Sequence, residues 1–165
     1  MMLEKSSRHQ KIIGDFGEHL ICNFLSRSGF EVSIMDHTGL DIIAYNPRTR
    51  ERLGITVKSR TRNIGKEETT VNFLSNREKE NDRQKLLDAC EAFNCIPWIG
   101  IYVETQNSSD LYLTSLSHYD ETYRVNKCKV IDNWNMKKSD KEKYQNDPEV
   151  KHLEIVYKET NWWKP

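Results

Sequence analysis

Two charges stand inside short apolar runs that face each other across a polar turn, and this arrangement constrains the fold more than any other feature of the chain. The stretch reads Thr38-Gly39-Leu40-Asp41-Ile42-Ile43-Ala44-Tyr45, a turn over 46–52, then Leu53-Gly54-Ile55-Thr56-Val57-Lys58-Ser59 and onward to Arg62. The pattern predicts a β-hairpin with a longer loop, its strands at about 40–45 and 53–59. Asp41 opens the first strand and Lys58 interrupts the second. A charge among Ile, Val and Ala is costly unless something pairs with it. A divalent metal and a phosphate together would do so. A plain cross-strand ion pair between Asp41 and Lys58 would also do so, contributing little to stability.

The flanking segments have clear periods. Ile12, Ile13, Phe16, Leu20, Ile21, Phe24 and Leu25 recur at helical spacing, predicting a helix over 7–28 with Gly29 as its C-cap and a strand over 30–34. Gly14 and Gly17 lie inside that helix at a cost of roughly 1 kcal/mol each relative to alanine, which points to close packing by another backbone or a ligand. Glu18 either reaches toward the following strands or is an ordinary surface carboxylate. Further on, 71–74 reads as a short strand, and the stretch leading into 86–93 as a second amphipathic helix capped by Asn81 or Asp82. The run 96–103 is the most hydrophobic strand candidate, with Pro97 tolerable only at its start, and a turn at 106–110 leads to a strand over 111–116. Beyond Ser117 the signal weakens to a charged helix over 137–145, a break at Asp147-Pro148 and a strand over 152–157. Trp162 and Trp163 are expected to pack back on the body, the alternative being base stacking or an oligomer contact.

Alternating helices and strand groups predict an α/β domain with a mixed central sheet flanked by helices. One domain over 1–165 is expected, with a core of about 7–116 and a C-terminal extension of about 117–165. Charged residues make up 30% and balance to zero, so no global field draws the chain to a polyanion. Locally, Arg48, Arg50, Arg52, Lys58, Arg60, Arg62 and Lys66 face only Glu51. Such a surplus either holds a nucleic acid or is a solvated face. Cys22, Cys90, Cys95 and Cys128 lack the short paired spacing of a structural zinc site, and Cys22 on its helix face reads as a small buried hydrophobe. The first eight residues lack the apolar core of a signal peptide, and no run reaches membrane-spanning length. A cytoplasmic, reduced protein without a membrane partner is the expectation.

Phosphodiester cleavage needs a metal to polarise the phosphate and acidify a water, and a cation where charge grows. Gly17-Glu18 in a first helix, Gly39-Leu40-Asp41-Ile42-Ile43-Ala44 on one strand and Thr56-Val57-Lys58 on the next resemble the PD-(D/E)XK nuclease superfamily, nearest to Holliday-junction resolvases and Mrr-like endonucleases. The resemblance spans roughly 12–62 and implies a restriction-endonuclease-like core. It implies Mg2+ (or Mn2+) held by Asp41, Glu18 and the carbonyl of Val57, with Lys58 as the catalytic lysine. Arg60, Arg62 and Lys85 would contact DNA, with Gln84 a looser match to a polar helix residue near the site. Superfamily members often act as dimers, so a homodimer is admitted.

Thr56 departs from the pattern, since Glu or Gln usually stands there and a hydroxyl is a poor magnesium ligand beside a carboxylate. Glu18, Asp36 or Glu104 would have to replace it, or the site binds metal weakly. Otherwise the chain is a non-cleaving nucleic-acid-binding module of the same fold. The neutral total charge also admits a protein-interaction domain. His37 beside Asp36 is a proton carrier or simply polar surface.

Overall fold

The computed structural model describes residues 5–124, 130–160 and 162–163; Cys128 and the first four residues lie outside them. Helix α1 (His9–Arg27) leads into β1 (Glu31–His37), β2 (Leu40–Tyr45) and β3 (Arg52–Thr61). Then come β4 (Val71–Arg77), the short β5 (Glu80–Asn81), α2 (Asp82–Ala92), β6 (Ile96–Glu104) and β7 (Ser108–Ser115). The chain closes with α3 (Leu116–Thr122), β8 (Ile131–Trp134), α4 (Lys138–Asn146) and β9 (Lys151–Val156).

Six strands form a mixed sheet in the order β1-β2-β3-β6-β7-β9, and β5-β4-β8 form a smaller one. Only the β3–β6 pair in the larger sheet is parallel. The expected hairpin is the antiparallel β2–β3 pair, which places Ile42 opposite Ile55 and Tyr45 opposite Arg52. Alternate residues of β6 divide between two buried clusters. Ile99, Ile101 and Val103 join Leu40, Leu86 and Trp134, whereas Tyr102 joins Ile13, Ile21 and Ile55 of the α1 side. The sheet is thus covered on both faces, which is why β6 reads as a continuous apolar run instead of an alternating one.

Both long helices end in the same way. The Phe30 and Gly29 amides bond to Leu25 and Ser26 carbonyls, and the Cys95 and Asn94 amides to Cys90 and Glu91 carbonyls. These are Schellman motifs, with Gly29 (φ +91) and Asn94 (φ +53) in the left-handed position. In α2 that geometry brings Cys90 and Cys95 together as the apolar contact of the motif, a packing role. Asn81 caps α2 by accepting from the Gln84 amide at 2.9 Å.

Several expectations are corrected. The β6–β7 connection is shorter than 106–110, because Ser108 already pairs in β7. Leu116 opens α3 instead of ending a strand, with Ser115 accepting from the His118 amide as its N-cap. Both α3 and β8 escaped the sequence reading, since neither carries a usable period. They are held by an aromatic group in which Trp134 stacks on Tyr144 at 4.1 Å and meets Tyr123 at 5.5 Å. Trp162 and Trp163 do not pack back; they are 76% and 93% exposed. Gly17 faces a close neighbour, as a Cβ there would lie 2.4 Å from Ser59 Oγ, but Gly14 has nothing within 4 Å. Cys22 is half-buried at the margin of the α1-side cluster.

Candidate active site

The paired register of β2 and β3 stops at Ile42 and Ile55, while β3 continues to Thr61. Past that point β3 keeps its parallel partner β6 on one side only. The amide that would be left open is taken by a side chain: Asp41 Oδ2 accepts from the Val57 N–H at 2.6 Å. The Thr56 hydroxyl donates to the same oxygen at 3.2 Å. Extended backbone turns a residue's N–H and C=O to one edge, so the Val57 carbonyl faces this side as well.

Asp41, Thr56, Val57 and Lys58 line one cavity of ≈ 240 Å³, together with Asp82 and Lys85 from the first turn of α2. Gly39 lets α2 come this close. It has φ +97, and a Cβ on it would lie 2.4 Å from the Lys85 carbonyl oxygen. Lys85 Nζ is 3.5 Å from Asp82 Oδ1, and Asp82 Oδ2 accepts from the Ser75 amide at 3.3 Å.

Burial raises the Asp41 carboxyl above the usual carboxylate range, against the Val57 amide, the Thr56 hydroxyl and the Lys58 charge. Glu18 is raised first by burial and then by the negative charge of Asp41. The helical acid therefore sits within electrostatic reach of Asp41, although it does not line the cavity. A buried acid and a second acid raised by its charge are groups whose charge a cation would relieve. Among the described residues no group of three or more His, Cys, Asp or Glu comes together to hold a metal. The oxygen donors of the cavity include the Asp41 and Asp82 carboxylates and the Val57 carbonyl, with Glu18 outside its lining. That suits magnesium, which keeps several waters and takes one or two carboxylates.

The other candidates are placed elsewhere. Asp36 is exposed on β1. Glu104 accepts from Thr61 Oγ1 at 3.3 Å and lies 2.9 Å from His9 Nε2, outside the cavity. His37 sits edge-on to Phe93 at 5.3 Å. Gln84 bonds Asp88 on its own helix at 2.7 Å. Arg62 donates to the Thr69 and Thr70 carbonyls at 3.3 and 3.0 Å, so its guanidinium pins the β3–β4 loop. Arg60 donates to the Ser59 carbonyl at 2.9 Å and is partly desolvated, which lowers its pKa. Asp82 is the cavity residue that sequence reasoning considered only as a helix cap. Its place beside Lys58 depends on how α2 seats against Gly39.

No family model matches the chain, and no curated protein matches it. Among solved structures it is similar to Archaeoglobus fulgidus Hjc, a Holliday junction resolvase from an archaeal hyperthermophile. The TM-score is 0.53 at 16% identity, covering 77% of this chain and 85% of that one. The fold is restriction-endonuclease-like. At that identity the likeness is one of fold, and the site must be argued from its own residues. No helix among the described residues is long and apolar enough to cross a membrane.

Proposed function

We propose that the chain is a metal-dependent endonuclease of the PD-(D/E)XK kind that hydrolyses DNA phosphodiester bonds. The observation that carries this reading is the convergence of Asp41, Lys58 and Val57 on one cavity at the free edge of β3, with Glu18 in electrostatic reach. Asp41, Glu18 and the Val57 carbonyl would hold Mg2+ or Mn2+, which when bound supplies an acidified water and a polarised phosphate. Lys58, which no carboxylate holds in an ion pair among the described residues, stabilises charge at the phosphate or orients the water. Lys85 stands across the cavity as a phosphate contact, and Arg60 follows Lys58 along β3. Thr56 acts by orienting Asp41 and is not itself a metal ligand. Because the fold is similar to that of a Holliday junction resolvase, branched DNA is the first substrate to try.

The test is cleavage of supercoiled, linear and four-way-junction DNA with Mg2+, Mn2+ or chelator. The parent is expected to cut only with metal, and Lys58→Ala and Asp41→Asn are each expected to lose about a hundredfold or more in rate. Variants that cut as well as the parent would refute the assigned site. One observation favours a second reading. Both donors at Asp41 Oδ2 already occupy that oxygen, which suits a binding module that has given up cleavage. Salt-dependent DNA binding with no cutting under any metal would establish it.

A further inference from the structure

A groove of ≈ 390 Å³ opens where the start of α1 meets the end of β3, lined by Lys5, Ser6, Ser7, His9, Ser59 and Arg60 among others, with no carboxylate among the described residues of its lining. The nearby acid, Glu104, is engaged with His9 and Thr61. Arg60 has lost part of its hydration and makes no ion pair among the described residues, where its side-chain hydrogen bond goes to the carbonyl of the residue before it. Ser59 Oγ, by contrast, is buried against Gly17 of α1, out of reach of the groove, with no hydrogen-bond partner among the described residues. The first turn of α1 holds no acid, and its N-cap residue, Arg8, makes no side-chain cap bond. The His9 amide is taken by the Ser6 carbonyl, and the positive end of the helix dipole borders the groove with no acid in its own first turn. A partly dehydrated guanidinium and a helix start with no acid in its first turn call for an anion, and no carboxylate among the described residues lines the groove.

We infer that this groove holds a phosphate of the nucleic-acid strand, flanking the phosphate met at Lys58, with Arg60, Lys5 and the start of α1 as its contacts. The inference rests on the nuclease reading and adds the path of the strand. Two residues along an extended chain advance about 6.6 Å, so Lys58 and Arg60 step along β3 on the scale of successive backbone phosphates. The strand then runs from the β2–β3 edge toward the N-terminus of α1.

Binding measured in chelator separates this inference from catalysis. Fluorescein-labelled four-way junction and duplex DNA are titrated with the parent, Arg60→Gln, Arg60→Lys, Ser6→Glu and Asp41→Asn, and each protein is also melted. Arg60→Gln and Ser6→Glu should each weaken binding about tenfold, and Arg60→Gln should lower the salt slope by about one. Arg60→Lys should recover part of the loss. Ser6→Glu puts a carboxylate beside a helix N-terminus, so it should melt no earlier than the parent, and it decides alone if Arg60→Gln melts early. Unchanged binding by Ser6→Glu overturns the groove while leaving the nuclease reading to the Asp41→Asn cleavage result. A parent that binds no DNA overturns both. Inorganic phosphate that raises the melting temperature of the parent, with DNA affinity indifferent to Arg60 and Ser6, would mark a free-phosphate site and likewise overturn the strand path.

Discussion

The Thr56 hydroxyl and the Asp41 carboxylate face each other across the end of the β2–β3 pair, with Thr56 Oγ1 donating to Asp41 Oδ2 at 3.2 Å. The Val57 amide reaches the same oxygen at 2.6 Å, and no donor among the described residues bonds Oδ1. A residue that cannot serve as a carboxylate ligand therefore acts on the carboxylate beside it. It helps fix the orientation of that group and favours its charged form.

Replacing Thr56 by valine removes one of the donors that oppose burial at Asp41. The Asp41 pKa should rise further. Metal binding requires the carboxylate, so the acid limb of a Mn2+ binding curve should move to higher pH, with the plateau affinity at alkaline pH changed only a few fold. Titration of Mn2+ against pH, followed by water-proton relaxation, reads the shift. A curve superimposable on that of the parent would show that the hydroxyl does not influence Asp41.

Glu18 and Asp41 carry a cost that appears with rising pH. Both folded-state values lie above the ordinary ones, so the folded protein binds more protons than the unfolded chain between those values. Stability is lost as pH rises through this window, and the full cost is present above the folded values. Asp41→Asn and Glu18→Gln should each raise the melting temperature at pH 7 by a few degrees. The gain should fade as pH falls below about 4, where the acid becomes protonated in both states. Melting curves from pH 3 to pH 8 check the direction, and a gain that grows on acidification would contradict it.

Two glycines on one helix should respond with opposite signs. Gly14→Ala meets open space and gains helix propensity, for a stabilisation of up to about 1 kcal/mol. Gly17→Ala drives a methyl to 2.4 Å from Ser59 Oγ and 3.2 Å from Tyr102 Cβ. The overpacking outweighs the propensity, for a net loss of about 1–3 kcal/mol. Urea unfolding of the two variants measures both.

Gly39→Ala should be worse than either. The backbone has φ +97, and the added carbon would lie 2.4 Å from the Lys85 carbonyl oxygen and 3.1 Å from the Leu86 nitrogen. Backbone atoms of a packed helix cannot swing aside as a side chain does, so strain and clash should together cost about 3 kcal/mol or more. α2 would have to lift away from the cavity. Loss of Mn2+ or DNA binding in a variant kept folded at low temperature would accompany the lower denaturation midpoint.

Much of the architecture was legible in the residues themselves. β2 was expected at 40–45 and is found there, and α1, α2, β3 and β6 lie within a few residues of their expected positions. Gly29 and Asn81 were readable as helix stops and starts because capping is chemistry between near neighbours. The second half of the chain was harder to read. α3 and β8 are short, and what holds them is the packing of Tyr119, Tyr123, Trp134 and Tyr144, drawn from distant positions. Asn94 ends α2 in a conformation more often given to glycine, so its stop signal was faint.

The linear order of residues determined the period of each element, the hairpin between β2 and β3, and the presence of an acid and an amine on its two strands. Those features follow from local sterics and from the apolar pattern, which act over a few residues. The tertiary structure alone decided how each charge is used. Asp41 meets Thr56 and Val57 because β3 outruns β2, and Arg62 is tied down by the loop it precedes. Asp82 enters the cavity because Gly39 lets α2 settle there. Register and helix seating are set by packing between segments far apart in the chain, and a charged side chain takes its partner from whatever that packing brings within reach.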